Sequence, residues 1–155
     1  MDNKTKACSV IFLILLGAGC DNDKNLSEDL WRCTQTSAIT DEITGFNEYY
    51  MDFSASESTV TQTGKIKVVD SNNGRHSLLT YEALLNSVTT GKRFESTLKT
   101  LDYEIHEDNL GLFSQNVSRF FPSVGQKITG EVISETSLYK TYHYDSGSVI
   151  GCNKL

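Results

Sequence analysis

The chain has 155 residues, 20 acidic against 14 basic, and a formal net charge of −6. That length makes one domain with one modest core, and the acidity argues against nucleic acid or anionic lipid head groups as partners. A single proline, abundant Ser and Thr, and scattered Tyr and Phe favour strands over helices.

Lys4 and Lys6 precede an unbroken apolar run at residues 10–16, which leads into Gly17-Ala18-Gly19-Cys20. A basic start, a short apolar stretch and small residues make an export signal. The run is too short to cross about 30 Å of hydrocarbon as a helix. The pattern resembles the lipobox of bacterial lipoproteins, although Gly17 stands where leucine is usual and Leu16 lies one step further out. The resemblance implies that residues 1–19 are a signal peptide and that Cys20 is lipidated and becomes the mature N-terminus. Several acyl chains, palmitate among them, would then anchor the protein, since one chain is marginal and each buried CH₂ adds about 0.8 kcal/mol. It implies a periplasm-facing place in the cell envelope, and Asp21 resembles the enteric-type signal for inner-membrane retention. The first nineteen residues, with Asp2, Lys4 and Lys6, contribute +1, so the mature part carries −7.

Cys8 would leave with the signal and Cys20 would take lipid, so Cys33 and Cys152 remain. In an oxidising compartment an even pair usually closes, and a Cys33–Cys152 disulfide is expected. Closing a loop of about 119 residues would stabilise by at most roughly 5 kcal/mol and would fasten the first strand to the last. No second Cys or His stands at zinc-motif distance from either residue.

Residues 20–29 are polar and aperiodic and read as a flexible tether with a reach of about 17 Å; residues 30–155 form the domain. Residues 30–36 make the first strand, with Trp31 and Cys33 on one face. Residues 46–54 alternate, placing Tyr49, Met51 and Phe53 one way and Glu48 and Asp52 the other. A turn at 54–58 leads to a strand at 59–70 interrupted by Gly64. Asp70-Ser71-Asn72-Asn73-Gly74 invites a calcium-loop interpretation, but the glycine falls one place early and no glutamate closes the loop. It reads instead as a hairpin, with Asn-Gly in a type I′ turn.

Residues 77–88 fit both periods, because Leu79, Tyr81, Ala83 and Leu85 alternate while Tyr81, Leu84, Leu85 and Val88 have helical spacing. No cap marks either end, so a strand is expected. Phe94 and Leu98 share one parity and Leu101, Tyr103 and Ile105 the other, which predicts a bulge or turn at Lys99-Thr100. Phe113, Val117, Phe120 and Phe121 fall at i, i+4, i+7 and i+8 and predict a helix near 109–121, capped by Asp108 or Asn109 and ended by Pro122. A helix plugging the core would bury all four and leave Asn116 and Arg119 in water. Strands at 127–135, 138–144 and 148–152 close the chain.

Consecutive strands, one late helix and bridged ends predict a mainly β fold, an antiparallel up-and-down meander or barrel. The layout resembles the lipocalin-like barrels, with Trp31 where that family places its barrel-floor tryptophan and Asp29 in place of the usual glycine. It also resembles a group of small bacterial lipoproteins with no assigned activity, whose pattern opens with Trp31-Arg32-Cys33 and ends with Gly147…Cys152. Exported lysozyme inhibitors are similar in being lipoprotein barrels closed by terminal cysteines, but their Ser-Gly-x-x-Tyr loop is missing, as Ser146-Gly147 runs into Ser148, Val149 and Ile150.

No nucleophile elbow, zincin helix, Walker loop or Rossmann glycine set is present, so no cofactor and no catalysis are expected. Glu104 with His106, and His143 with Asp145, share strand faces, on the parity opposite the apolar one, and read as solvated surface. Two non-catalytic classes remain. One is a binding module whose interior, lined by Trp31, Tyr49, Met51, Phe53 and Tyr142, takes an apolar ligand. The other is a domain that meets an envelope protein as accessory, inhibitor or immunity factor. So many aromatics favour a filled core, and hence a working surface.

Overall fold

The computed structural model describes residues 29–56 and 58–155. The expected signal at 1–19, Cys20 and the expected tether as far as residue 28 lie outside the described residues. Eight strands follow one another: β1 (Leu30–Ala38), β2 (Ile43–Ser56), β3 (Thr59–Asp70), β4 (His76–Thr90), β5 (Arg93–Asp108), β6 (Lys127–Glu135), β7 (Tyr139–Tyr144) and β8 (Val149–Lys154). Each pairs antiparallel with the next, and β1 pairs with β8, so the sheet closes into an up-and-down, lipocalin-like barrel. Closure removes the free edges of an open sheet.

Period two writes the barrel wall. In β4 the residues Ser77, Leu79, Tyr81, Ala83 and Leu85 are all buried, and their neighbours Leu78, Thr80, Glu82 and Leu84 are not. The helical alternative for this stretch is thereby excluded. The parity change in β5 is a bulge: Leu84 faces Thr100 and Leu85 faces Leu98, leaving Lys99 as the extra residue. A second bulge at His106 lies between the pairs Leu78–Glu107 and Leu79–Ile105.

Gly64 does not interrupt β3, which runs through it with unbroken pairing. The glycine is there because Tyr49 and Tyr81 flank it. A Cβ at Gly64 would lie 2.6 Å from Tyr49 Cβ, 2.8 Å from the Glu48 carbonyl oxygen and 2.9 Å from Tyr81 Cζ, and the backbone atom cannot give way. The β2–β3 turn is shorter than predicted, because β2 reaches Ser56. The β3–β4 hairpin stands where expected, but its loop is four residues, 71–74, and not a two-residue type I′ turn. It is closed by Asp70 N–H donating to the Arg75 carbonyl at 2.9 Å. The Asp70 carboxylate is used inside the turn, accepting from Asn72 N–H at 2.9 Å and Asn73 Nδ2 at 2.8 Å.

The barrel has two unequal seams. β1 meets β8 over four residue pairs, at residues 31–34, and the Cys33–Cys152 disulfide joins two directly opposed positions there. Both cysteines are fully buried. β5 meets β6 only at residues 93–97. Beyond Leu98, β5 has β4 alone as a strand partner among the described residues, and its inner face is left partly open.

A short helical segment packs against that opening. The predicted long helix is replaced by α1 (Leu112–Asn116) followed by a 3-10 turn, Val117–Arg119. Gly111 stands at the N-cap in left-handed conformation, and the capping group comes from further back. Asp108 Oδ1 accepts from Leu112 and Phe113 N–H at 3.0 and 3.3 Å, and Oδ2 from Ser114 N–H and Oγ, both at 2.7 Å. Ser77, wholly buried, donates its hydroxyl to Asp108 at 2.8 Å and accepts from Leu110 N–H at 3.1 Å. Phe113 alone of the predicted stripe is fully buried; Val117, Phe120 and Phe121 are half-buried. Asn116 and Arg119 face water as expected.

Burial opposes ionisation of Asp108, but hydrogen bonds from Ser114, Ser77 and Phe113 outweigh it and hold the carboxyl down at about 2. A depressed carboxyl contributes stability that is complete above the unfolded value of about 3.9 and lost as pH falls through the folded one. Asp108→Ala should therefore cost about 0.5–2 kcal/mol at neutral pH, the range of a lost cap. The gap to the parent protein should close as pH falls from 4 to about 2. Urea unfolding at pH 7 and at pH 2.5 checks this; an equal gap at both would contradict the assignment.

Candidate functional site

The antiparallel order divides the barrel interior into a near end, where β1 begins, and a far end, where α1 packs. Near the first lies a cavity of about 430 Å³. Its walls are Met51 and Phe53 of β2, Val60 of β3, Leu85 of β4, Phe94 of β5, Ile128 and Val132 of β6, and Tyr142 and Tyr144 of β7. The charged groups on its lining are Lys92, from the β4–β5 turn, Glu135, at the end of β6, and Lys140, at the start of β7.

A second cavity, of about 610 Å³, occupies the far end under residues 119–122. Gln62, Leu85, Ile128 and Tyr144 line both spaces, so these side chains form the partition. The far space is the more polar. Tyr81 donates its hydroxyl to Asn47 Oδ1 at 3.1 Å and accepts from Gln62 Nε2 at 3.0 Å, and the Tyr49 and Tyr144 side chains lie close enough to influence one another's hydroxyls. Burial raises the Tyr81 hydroxyl to about 12 despite these bonds, and burial likewise raises Tyr49, Tyr142 and Tyr144. All four are neutral at any physiological pH. A third space of about 520 Å³ is a groove between α1 and the rim formed by Ser37, Ile39, Gly45 and Phe46.

The interior is therefore not filled, contrary to the expectation from aromatic content. Phe94 lies flat over Gly130, where a Cβ would come within 2.7 Å of its Cζ, and Tyr81 lies over Gly64 in the same way. Phe94 is also edge-on to Tyr142 and Tyr144, with centroids 5.6 and 5.3 Å apart. The rings coat the wall and leave the lumen open.

Three of the predicted lining residues, Met51, Phe53 and Tyr142, meet at the near cavity. Tyr49 lines the far one instead. Trp31 lines neither. It is 3% exposed, its Nε1 is buried without a hydrogen-bond partner among the described residues, and the Lys140 ammonium sits 4.6 Å above its ring. Lys140 was absent from the sequence-derived set, yet it shares the parity of Tyr142 and Tyr144, the inward parity of β7. A lysine in that alternation was the available signal.

The histidines are dispersed. His76 Nε2 pairs with Glu107 at 2.8 Å, His106 Nε2 meets Thr80 Oγ1 at 2.7 Å with Glu104 4.0 Å away, and His143 Nδ1 is 3.9 Å from Glu131. Asp145 is bound by Arg93 at 2.8 Å and Thr129 at 2.6 Å rather than by His143. Among the described residues, no group of three or more His, Cys, Asp and Glu is placed to hold a metal ion. No family model matches the chain, and no curated protein matches its sequence.

Proposed function

We propose that the protein is a lipid-anchored lipoprotein of the cell envelope whose barrel binds a small, largely apolar molecule without catalysis. The anchor rests on the lipobox-like run ending at Cys20, with the membrane as its partner and the periplasmic side, at the inner membrane under the enteric-type Asp21 rule, as its place. The binding role rests on one observation, the near cavity of about 430 Å³ walled by apolar side chains from six strands. Ligand sites of this kind are concave, mostly apolar and a few hundred Å³ or more. A second role, docking of an envelope protein, draws on Tyr103 and Ile105, which lie on the inward parity of β5 beyond the short β5–β6 seam and are 47% and 37% exposed.

Two measurements test the proposal separately. Cys20→Ala should abolish metabolic labelling with palmitate and leave a precursor-sized protein; undiminished labelling would refute the anchor. Nile red, a neutral apolar dye, should bind saturably with blue-shifted emission, and Ser96→Phe, which adds a ring on the cavity lining, should abolish that binding. Absence of saturable binding in the parent protein would refute the ligand role.

A further inference from the structure

The near cavity is apolar along its walls and cationic where it opens. Lys92 and Lys140 stand against Glu135 on its lining, in a domain expected to carry −7. Lys140 is not an ordinary surface lysine. Its side chain is 23% exposed, and its ammonium is held 4.6 Å over the Trp31 ring and 5.8 Å from the Phe53 ring. Its carboxylate partner Glu135, at 2.9 Å, is 56% exposed on its side chain and can swing into water. An ammonium held against aromatic faces beside an apolar space is shielded from part of its water, and there it attracts an anion more strongly than in bulk solvent.

The near end is also where the chain enters the barrel. Asp29 accepts from Phe53 N–H at 3.3 Å and its carboxylate lies 3.6 Å from Lys154 Nζ. Only eight residues separate Asp29 from Cys20, a span of roughly 30 Å even when fully extended. If Cys20 carries lipid, the bilayer lies within that span of Asp29, at the end of the barrel that holds the near cavity.

We propose that the near cavity takes a single-chain amphiphile with an anionic head, the tail lying among Met51, Phe53, Leu85 and Val132 and the head paired with Lys140 and Lys92 after displacing Glu135. This rests on the ligand-binding role above and deepens it. The described barrel encloses its own core and disulfide, so the unlipidated chain from Asp21 onward is the material for the test. Dodecanoate and dodecanol present the same tail with and without charge. The protein has a single tryptophan, and its position under Lys140 makes Trp31 emission the readout.

Dodecanoate should bind about tenfold tighter than dodecanol, a difference of about 1.4 kcal/mol. Lys140→Met should remove most of that preference, and Lys140→Met with Lys92→Met all of it, while leaving dodecanol unaffected; Lys140→Arg should keep it, and Glu135→Gln should tighten dodecanoate alone. Equal binding of acid and alcohol would overturn the head-group assignment and leave the ligand role standing. Binding of neither would overturn both. Equal weakening of both ligands by Lys140→Met would reduce Lys140 to a packing group over Trp31 and overturn the assignment.

Discussion

Replacing both bridge cysteines, Cys33→Ala with Cys152→Ala, is expected to lower stability by about 2–5 kcal/mol and the melting temperature by roughly 10–20 °C. The bridge spans 119 residues, so the unfolded chain regains most of the freedom that any single link could remove. The native state loses something too, because the link crosses the shorter of the two seams. β1 and β8 share four residue pairs, whereas β1 and β2 share nine. Opening should therefore begin locally. Amide exchange at residues 31–34 and 151–154 should rise before exchange in β3 and β4. In the parent protein both thiols should resist alkylation until reduced. A melting temperature within about 3 °C of the parent would show that the seam closes without the bridge.

How far the fold can be read from the sequence depends on whether a feature is local. Alternation in β2 and β4 is local, and it gave the strand faces directly. The parity switch between Leu98 and Leu101 is also local, and the bulge at Lys99 is its structural form. The helix failed for a local reason as well. The stripe from Phe113 to Phe121 assumes a constant 100° step, but the chain leaves the α-helix at Val117. Asn116, with φ −162° and ψ 68° as it leads into the 3-10 turn, ends the regular geometry, and past it Phe120 and Phe121 are only half-buried while Phe113 is buried.

The cavity was illegible for a different reason. Whether a lumen is filled depends on which aromatic rings lie along the wall, and that is decided by cross-strand register. Phe94 is opposite Gly130, and Tyr81 is opposite Gly64. Neither pairing can be known before the strands are aligned. The same register brings Lys140 over Trp31, from strands more than a hundred residues apart in the chain. The disulfide, by contrast, followed from counting cysteines, because only two remained once Cys8, in the expected signal, and Cys20, the expected lipid site, were set aside.

Phe113→Ala is expected to destabilise by about 3–5 kcal/mol, the range for a buried phenylalanine truncated in a core that cannot collapse around the loss. Its ring is 2% exposed and packs edge-on against Phe120 at 5.0 Å. Collapse is restricted because α1 is pinned at its start by Asp108 and Ser77, so the helix cannot slide inward to fill the space. Phe120→Ala should cost about 1–2 kcal/mol, since its ring is half-buried and removes correspondingly less apolar area from water. Urea unfolding of the two variants ranks them; equal losses, or a Phe113→Ala loss below about 1 kcal/mol, would show that α1 does not plug the far end. Both variants should still bind Nile red, because neither residue lines the near cavity. If folded Phe113→Ala lost that binding, the two ends of the barrel would be one coupled site, with the partition at Gln62 and Tyr144 moving as a unit.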